Sequence, residues 1–187
     1  MYQKIIEYAE ALDKISRDRR RDFHRYPETA WLEMRTSAVI AKVLTELGYE
    51  VLTGKEVCLE SSRVGVPSTE ALKEHAERAL LQGAPAEYLT EEIKEGFTGV
   101  IGILRCGKGP VTALRFDIDA LGLTEDENVN HRPFAEGFAS RNPGMMHGCG
   151  HDGHAAIGLG VAEVLMKIKD GLHGTVKLIF QPAEEGV

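Results

Sequence analysis

The chain has 187 residues, of which 43% are hydrophobic and 27% charged, and its formal net charge is -7. This length suits one folding unit with a substantial core, and the composition is that of an ordinary soluble globular protein, which excludes a disordered or fibrous chain. The 29 acidic side chains outnumber the 22 basic ones and would repel a phosphate backbone, so we expect no nucleic acid partner.

The N-terminal segment and the cysteines indicate the cellular compartment in which the protein is expected. No basic segment is followed by an apolar run of signal-peptide length, and no stretch approaches a membrane span. We therefore expect a cytoplasmic protein without a membrane partner. The three cysteines, Cys58, Cys106 and Cys149, are odd in number and widely spaced, which does not suit a disulfide framework.

Helical periodicity begins close to the N-terminus. Apolar residues from Ile5 to Ile15 predict a first helix that runs towards Phe23 and His24 and is stopped by Pro27. The arginines within residues 17–25 are interrupted by acids, which predicts a solvated, ion-paired helix face.

A second helix is predicted from an apolar stripe between Val39 and Leu47. Thr36 or Ser37 can cap its start, and Gly48 lies where a C-terminal glycine belongs. Residues 49–52 then alternate like a short strand.

The middle of the chain combines an insertion with two strands. Residues 54–97 are polar, and we interpret them as an inserted helical excursion with a helix from about Thr69 to Leu81. Two β-rich runs follow at 99–104 and 111–118, and the glycines and proline between them predict neighbouring strands across a tight turn. Residues 122–148 are irregular, and loops of that length usually carry function.

The C-terminal part predicts a third helix and a buried strand. The helix has an apolar stripe from Ile157 to Ile168 and ends near Gly171. The strand Val176–Phe180 is almost continuously apolar, which indicates burial on both faces. The order of all these elements favours the α/β class, with a mixed β-sheet flanked by helices.

The densest group of chemically active side chains precedes the third helix. Three histidines, a cysteine and an aspartate fall within eight residues, namely His147, Cys149, His151, Asp152 and His154. Thiolate and imidazole hold transition-metal ions well, and Cys149 and His151 could converge on one ion. Asp152 or Asp119 could fix the tautomer of a ligating histidine.

Other interpretations of this group stay open on the residues alone. One is a glycine-rich loop with incidental histidines and a buried cysteine. Another is a structural zinc site, which would need four protein ligands. A third is a cysteine nucleophile at Cys149, with His151 or His147 as its base.

Two pairs of acids lie near the ends of predicted strands. Glu184 and Glu185 directly follow the apolar strand, whereas Asp117 and Asp119 alternate near the end of an earlier one. Active sites of α/β sheets lie beyond the carboxyl ends of strands, so both pairs could face one crevice. One glutamate could bind metal while the other moves protons, although a solvated turn also fits. The aspartates either pair with Arg115 or support a site.

Four motifs, in this order, resemble the family of metallo-aminoacylases, carboxypeptidases and N-acyl-amino-acid amidohydrolases with paired metal ions. They are Arg20-Arg21-Asp22-Phe23-His24-x-x-Pro27-Glu28, Arg115-x-Asp117-x-Asp119-Ala120-Leu121, Cys149-Gly150-His151-Asp152-Gly153-His154 and Gln181-Pro182-Ala183-Glu184-Glu185-Gly186. Residues 54–97 and 140–147 look most like the aminobenzoyl-glutamate hydrolase branch of the family.

The resemblance implies a set of site residues and a reaction. Cys149, His151 and Glu185 would be metal ligands, and Glu184 would be the general base. Two divalent metal ions are implied for the complete enzyme, with Mn²⁺ expected and Zn²⁺ as the alternative. The implied reaction is cleavage of the amide bond of an N-acyl amino acid, of the aminobenzoyl-glutamate kind, by metal-activated water.

The resemblance also implies a longer protein, because relatives carry further histidine ligands and a separate lid or dimerisation domain. Residues 1–187 would then be the N-terminal portion of the metal-binding catalytic domain, truncated before its C-terminal part. We expect this portion alone to hydrolyse poorly or not at all, and a homo- or hetero-oligomer to form through the missing domain. The alternative expectation is a non-catalytic or truncated subunit that acts only through a partner chain.

Overall fold

The computed structural model describes residues 2–186 as helices and strands joined by loops and short 3-10 turns. The helices are α1 (Tyr2–Ala11), α2 (Asp13–Arg25), α3 (Met34–Leu47), α4 (Thr69–Leu81), α5 (Glu91–Lys94), α6 (Arg132–Ala135) and α7 (His151–Lys167). The strands are β1 (Glu50–Thr53), β2 (Val100–Arg105), β3 (Val111–Asp117) and β4 (Thr175–Gln181). Among the helices of residues 2–186, none combines the length and apolar character that crossing a bilayer requires.

The strands form one mixed sheet in the order β1-β2-β4-β3. The β1–β2 and β2–β4 pairs are antiparallel, whereas β3 and β4 are parallel. The predicted α/β class, with a mixed sheet and flanking helices, is confirmed. The prediction that β2 and β3 are neighbours is wrong, because β4 lies between them.

The central place of β4 follows from its apolar sequence and from the α7 crossover. Parallel strands need a long connection, and α7 supplies it between β3 and β4. Leu178 and Phe180 are fully buried, while residues 111–115 of β3 are exposed at the sheet edge. The turn after β2 does not close a hairpin, because the Cys106 N–H donates to the Gly174 carbonyl at 2.8 Å, next to β4.

The predicted first helix is two helices, α1 and α2, which meet at Leu12. The second of them ends at Arg25, just before the proline that was expected to stop it. Four of its five arginines are ion-paired as predicted, whereas Arg25 donates to the Gly137 carbonyl. The paired arginines are not all on a solvated face. Arg19, for example, is largely buried and pairs with Glu163 on α7, which ties the two helices together.

The start of α3 differs from its predicted cap. The helix begins before Thr36 and Ser37, which therefore lie inside its first turn. The buried Glu28 carboxylate accepts the backbone N–H of Arg35 at 3.0 Å and of Thr36 at 2.8 Å, and so caps the helix from outside. Gly48 ends α3 as predicted, in the left-handed conformation with φ of 88°.

Residues 54–97 build a second, smaller core against α3. Helix α4 occupies the predicted bounds, and the Ser68 hydroxyl caps it by accepting the Ala71 N–H at 3.2 Å. The buried residues of this small core are Leu32, Met34, Ala38, Ala76, Ala79, Ala84, Leu89 and Ile93. The main core lies between the sheet and helices α2, α3 and α7.

Helix α7 approaches the sheet closely at Gly158. A Cβ atom there would lie 2.6 Å from Phe180 Cε1 and 2.9 Å from Phe116 Cδ2. We expect Gly158→Leu to lower the free energy of unfolding by about 1–3 kcal/mol, because overpacking displaces the helix. Urea unfolding followed by circular dichroism measures this.

The matched control is Gly160→Ala on the same helix, where the nearest atom to a new Cβ is Ser16 Oγ at 3.4 Å. Alanine favours the helix over glycine, so this variant should be at least as stable as the parent. Equal stabilities of the two variants would contradict the packing described for α7.

Candidate metal centre

The predicted site residues meet at one edge of the sheet. Cys149 lies in the loop before α7, His151 is the first residue of α7, and Glu184 and Glu185 lie in the turn after β4. Asp119 follows β3. Parallel strands place their carboxyl ends at the same edge, so β3 and β4 bring these segments together.

Cys149, His151 and Glu185 form a group that could hold a metal ion. One potential ligand atom from each lies within 4.8 Å of the others. His151 Nε2 is 3.9 Å from Glu185 Oε1. His151 is buried, Glu185 is half-buried and Cys149 is exposed, so the group opens to solvent on the side of the thiol.

Asp119 orients both His151 and Glu185. Its backbone oxygen lies 3.0 Å and its Oδ1 lies 3.2 Å from His151 Nδ1, while its Oδ2 accepts the Glu185 N–H at 2.8 Å. Both atoms near Nδ1 are acceptors, so Nδ1 carries the proton and the lone pair of Nε2 is free to bind a cation. Of the two aspartates predicted as alternatives, Asp119 is the one that contacts His151.

Asp152 instead anchors the start of α7 to α2. Its Oδ2 accepts from Arg20 Nε at 3.0 Å and from His24 Nδ1 at 2.9 Å. The second nitrogen of His24, Nε2, lies 2.9 Å from Glu125 Oε1. Burial opposes a charge on His24, but its hydrogen bonds to the two carboxylates outweigh burial and raise its pKa.

A second group with metal-ligand chemistry shares His151. Potential ligand atoms of Asp117, His151 and His154 also lie within 4.8 Å of one another. Asp117 Oδ2 is 3.5 Å from His154 Nδ1 and 3.3 Å from Arg115 Nη1, so Asp117 both pairs with the arginine and borders the cluster. Neither Asp117 nor His154 is a predicted ligand, although a spacing of three on a helix places His154 on the His151 side.

The electrostatics of Cys149 favour a cation site over a nucleophile. Interaction with the Glu185 carboxylate, followed by burial and the charges of Glu184 and Asp117, raises the pKa of the Cys149 thiol. A nucleophilic cysteine needs the opposite shift. Burial lowers the pKa of His147 to about 4, which makes it a weak base for this role. Thiolate, imidazole and carboxylate together are a donor set that suits a divalent metal ion.

The two adjacent glutamates occupy different surroundings. Glu185 is a member of the metal-ligand group, whereas Glu184 is exposed and lines a cleft with Trp31, Arg115 and Gln181. A division of two tasks between the glutamates stays a prediction.

Glu33 is a buried residue near the site that no sequence pattern indicated. Burial raises the pKa of Glu33 to about 8, the hydrogen bond from Thr98 opposes that rise, and the charge of Asp119 adds to it. A lone glutamate between apolar residues carries no periodic signal, and its contact with Ala183 lies 150 residues away.

The fold and the donor set together define an α/β domain with a candidate divalent-metal centre at the carboxyl edge of its sheet. Residues 113–187 match the model of peptidase family M20/M25/M40. This matched segment includes the candidate ligands and the Glu184–Glu185 pair. The chain is similar to this family over these residues.

Two bacterial hydrolases are similar to most of the chain. A p-aminobenzoyl-glutamate hydrolase component from Escherichia coli (strain K12) is 54% identical over 168 residues, which cover 89% of this chain and 38% of that protein. The indole-3-acetyl-aspartic acid hydrolase of Enterobacter agglomerans is 52% identical with the same coverage of 89% and 38%. The chain therefore spans 38% of the length of these relatives.

Solved structures agree with these relatives. An aminobenzoyl-glutamate utilization protein from Klebsiella pneumoniae has a TM-score of 0.79 at 38% identity, covering 98% of this chain and 39% of that chain. A dinuclear metal-binding peptidase of the M20 family from Bacillus subtilis has a TM-score of 0.63 at 33% identity, covering 94% of this chain and 36% of that chain. The predicted catalytic-domain fold of a metal-dependent exopeptidase-like family is thereby confirmed.

The raised pKa of Glu33 predicts how stability depends on pH. The pKa is about 8 in the folded state against an ordinary value of 4.5, so the folded state binds the proton more tightly. The resulting stabilisation is complete below about pH 4.5 and is lost as the pH rises through about 8. Glu33→Gln keeps an acceptor and a donor but does not titrate, so its free energy of unfolding should fall less over this range.

Urea unfolding of both proteins at a series of pH values checks this expectation. The difference between the two curves isolates Glu33 from histidines that titrate over the same range. Parallel curves would contradict a raised pKa at this position.

Proposed function

We propose that the chain is the metal-binding part of an amidohydrolase that cleaves the amide bond of an N-acyl amino acid. The observation that carries this proposal is the convergence of Cys149, His151 and Glu185, with Asp119 orienting two of them. Cys149, His151 and Glu185 are the proposed metal ligands, and Glu184 is the proposed general base.

The proposed chemistry divides between the ion and the chain. A divalent ion held by these residues would polarise the amide carbonyl and lower the pKa of water. Glu184, exposed at the cleft beside the ligands, takes the proton of the attacking water and delivers it to the leaving nitrogen. The carbon–nitrogen bond breaks, and the products are a carboxylic acid and an amine.

Two divalent ions in the complete enzyme are the proposed cofactor. The neighbouring group of Asp117, His151 and His154 supports more than one cation position at this edge of the sheet. Mn²⁺ is the proposed metal because imidazole and carboxylate accept it, and Zn²⁺ is the alternative because thiolate favours it.

The proposed substrate is an aminobenzoyl-glutamate-like N-acyl amino acid. Its support is the similarity to a p-aminobenzoyl-glutamate hydrolase and to an indole-3-acetyl-aspartic acid hydrolase, whose names share an acyl group joined to an acidic amino acid. The cleft beside Glu184 offers the cation of Arg115 and the ring of Trp31 as recognition groups.

The remaining proposals concern the rest of the protein and its surroundings. Residues 1–187 are proposed to be the N-terminal portion of the catalytic domain, with residues 54–97 as a helical insertion and with further ligands supplied by a C-terminal part. Oligomers are proposed to form through a lid or dimerisation domain, and the proposed compartment is the cytoplasm.

Metal analysis of the purified chain tests the site. We expect Cys149→Ala to lower Zn²⁺ or Mn²⁺ content and affinity by at least about tenfold, because it removes one of three ligands of the group. Cys106→Ala is the matched control, since Cys106 lies outside the group, and it should leave metal content unchanged. Unchanged metal content in Cys149→Ala would contradict the proposed metal centre.

A chimera tests the activity. The chain is joined to the segment that follows the aligned region in the Escherichia coli relative and is assayed with p-aminobenzoyl-glutamate. We expect hydrolysis by the chimera, and a loss of about 10²–10⁴-fold in kcat for Glu184→Gln, because the amide cannot accept the proton of water. Metal content should stay unchanged in that variant.

A chimera that binds metal but turns over no substrate would favour the alternative of a non-catalytic chain. Activity that survives a chelator but not thiol alkylation would instead support a cysteine nucleophile.

A further inference from the structure

The carboxylate of Glu33 contacts the turn that carries the Glu184–Glu185 pair. Its Oε1 accepts the Ala183 N–H at 2.8 Å, and its Oε2 is 2.6 Å from the Thr98 hydroxyl. The residue is completely buried, with 0% of its surface exposed. A buried carboxyl group is costly unless it is hydrogen-bonded, so both of its contacts matter for the fold.

The turn needs such a contact because its backbone is strained. Ala183 has a φ of 53°, in the left-handed region that residues with a Cβ rarely adopt. A residue stays in this conformation only where its surroundings fix it. The turn also packs tightly against the chain just before Glu33, since a Cβ added to Gly186 would lie 2.8 Å from Ala30 Cβ.

Glu33 is itself held rigidly. Its backbone oxygen accepts both the N–H of Ser37 at 2.8 Å and the Ser37 hydroxyl at 2.6 Å, at the start of α3. The same hydroxyl lies 2.5 Å from the backbone oxygen of Thr98, just before β2. The Glu33 side chain therefore joins α3 and the entry to β2 to the turn after β4.

The other end of the turn is held by Asp119. Its carboxylate accepts the Glu185 N–H at 2.8 Å, so two buried carboxyl groups hold alternate N–H groups of the same turn. We propose that Glu33 is a positioning residue for the metal centre. Through Ala183 it fixes the turn so that Glu185 faces Cys149 and His151 while Glu184 faces the cleft. The consequence for metal binding rests on the proposed function, whereas the effect on the turn does not.

Three substitutions separate positioning from general stability. Glu33→Met keeps most of the side-chain volume and removes the acceptor. Glu33→Gln keeps an acceptor for the Ala183 N–H and offers an N–H to the Thr98 hydroxyl, which can accept it. This variant should therefore retain the position of the turn. Glu28→Met is the matched control, because Glu28 is a buried carboxylate that caps α3.

Each variant is tested by amide hydrogen exchange of the metal-free chain, measured by NMR, and by Zn²⁺ affinity from competition with a chelator. We expect Glu33→Met to lose protection at the Ala183 and Glu185 amides and to bind Zn²⁺ about 10–100-fold more weakly, as for other groups that orient metal ligands. Glu33→Gln and Glu28→Met should retain both properties at a temperature well below their unfolding transitions.

Unchanged protection and affinity in Glu33→Met would overturn the proposal, as would an equal loss in Glu28→Met. If Glu33→Met does not fold, Thr98→Val takes its place, because it removes the second partner of the Glu33 carboxyl group. We expect this variant to lower both the amide protection and the Zn²⁺ affinity. No change in either property would overturn the proposal. A parent chain that binds no Zn²⁺ would contradict the proposed function, and hydrogen exchange alone would then decide the role of Glu33.

Discussion

The contacts of Asp119 are those on which the geometry of the candidate metal centre depends. Its carboxylate lies 3.2 Å from His151 Nδ1 through one oxygen and accepts the Glu185 N–H at 2.8 Å through the other. One side chain thus sets the relative positions of the end of β3, the start of α7 and the turn after β4. This is possible because β3 and β4 are parallel neighbours that end at the same edge of the sheet.

Buried acids recur throughout this architecture, and four of them hold backbone of their own or another segment. Glu28 holds the start of α3, Glu33 and Asp119 hold the turn after β4, and Asp152 holds the start of α7. Hydrogen bonds from N–H groups offset the cost of burying such carboxyl groups. At the metal-ligand group, however, the carboxylates of Glu184, Glu185 and Asp117 lie near one another and near the Cys149 thiol, so their negative charges repel one another. A divalent cation bound there would offset this repulsion and stabilise the positions of its own ligands.

Local patterns predicted the elements, but not all of their pairing. The end of α3 at Gly48 and the bounds of α4 followed from a glycine signal and from an alanine-rich helical stretch, both of which act within a few residues. The glycines and proline between β2 and β3 indicated a turn correctly, but a turn does not determine which strands pair. Strand β4 lies between β2 and β3 in the sheet although it follows both of them in the chain, beyond α7, and a local pattern does not show such long-range pairing.

Motifs carried the prediction of the site. The resemblance that they carry implied Cys149, His151 and Glu185 as ligands, and the structure brings one potential ligand atom of each within 4.8 Å of the others. Their role as metal ligands stays a prediction. The sequence left Asp152 and Asp119 as alternatives for orienting a ligating histidine, because only the path of the chain decides which carboxylate reaches Nδ1. The role of Glu33 could not be predicted from the sequence, because it depends on a contact with Ala183, 150 residues further along the chain.

The most direct test of the metal centre is X-ray absorption spectroscopy of the Zn²⁺-loaded chain. The ligand set of Cys149, His151 and Glu185 predicts one sulfur ligand at about 2.3 Å, with the remaining ligands nitrogen or oxygen at about 2.0–2.2 Å. The sulfur contribution should disappear in Cys149→Ala. A spectrum with nitrogen and oxygen ligands alone, or with a sulfur that persists in that variant, would contradict the assignment.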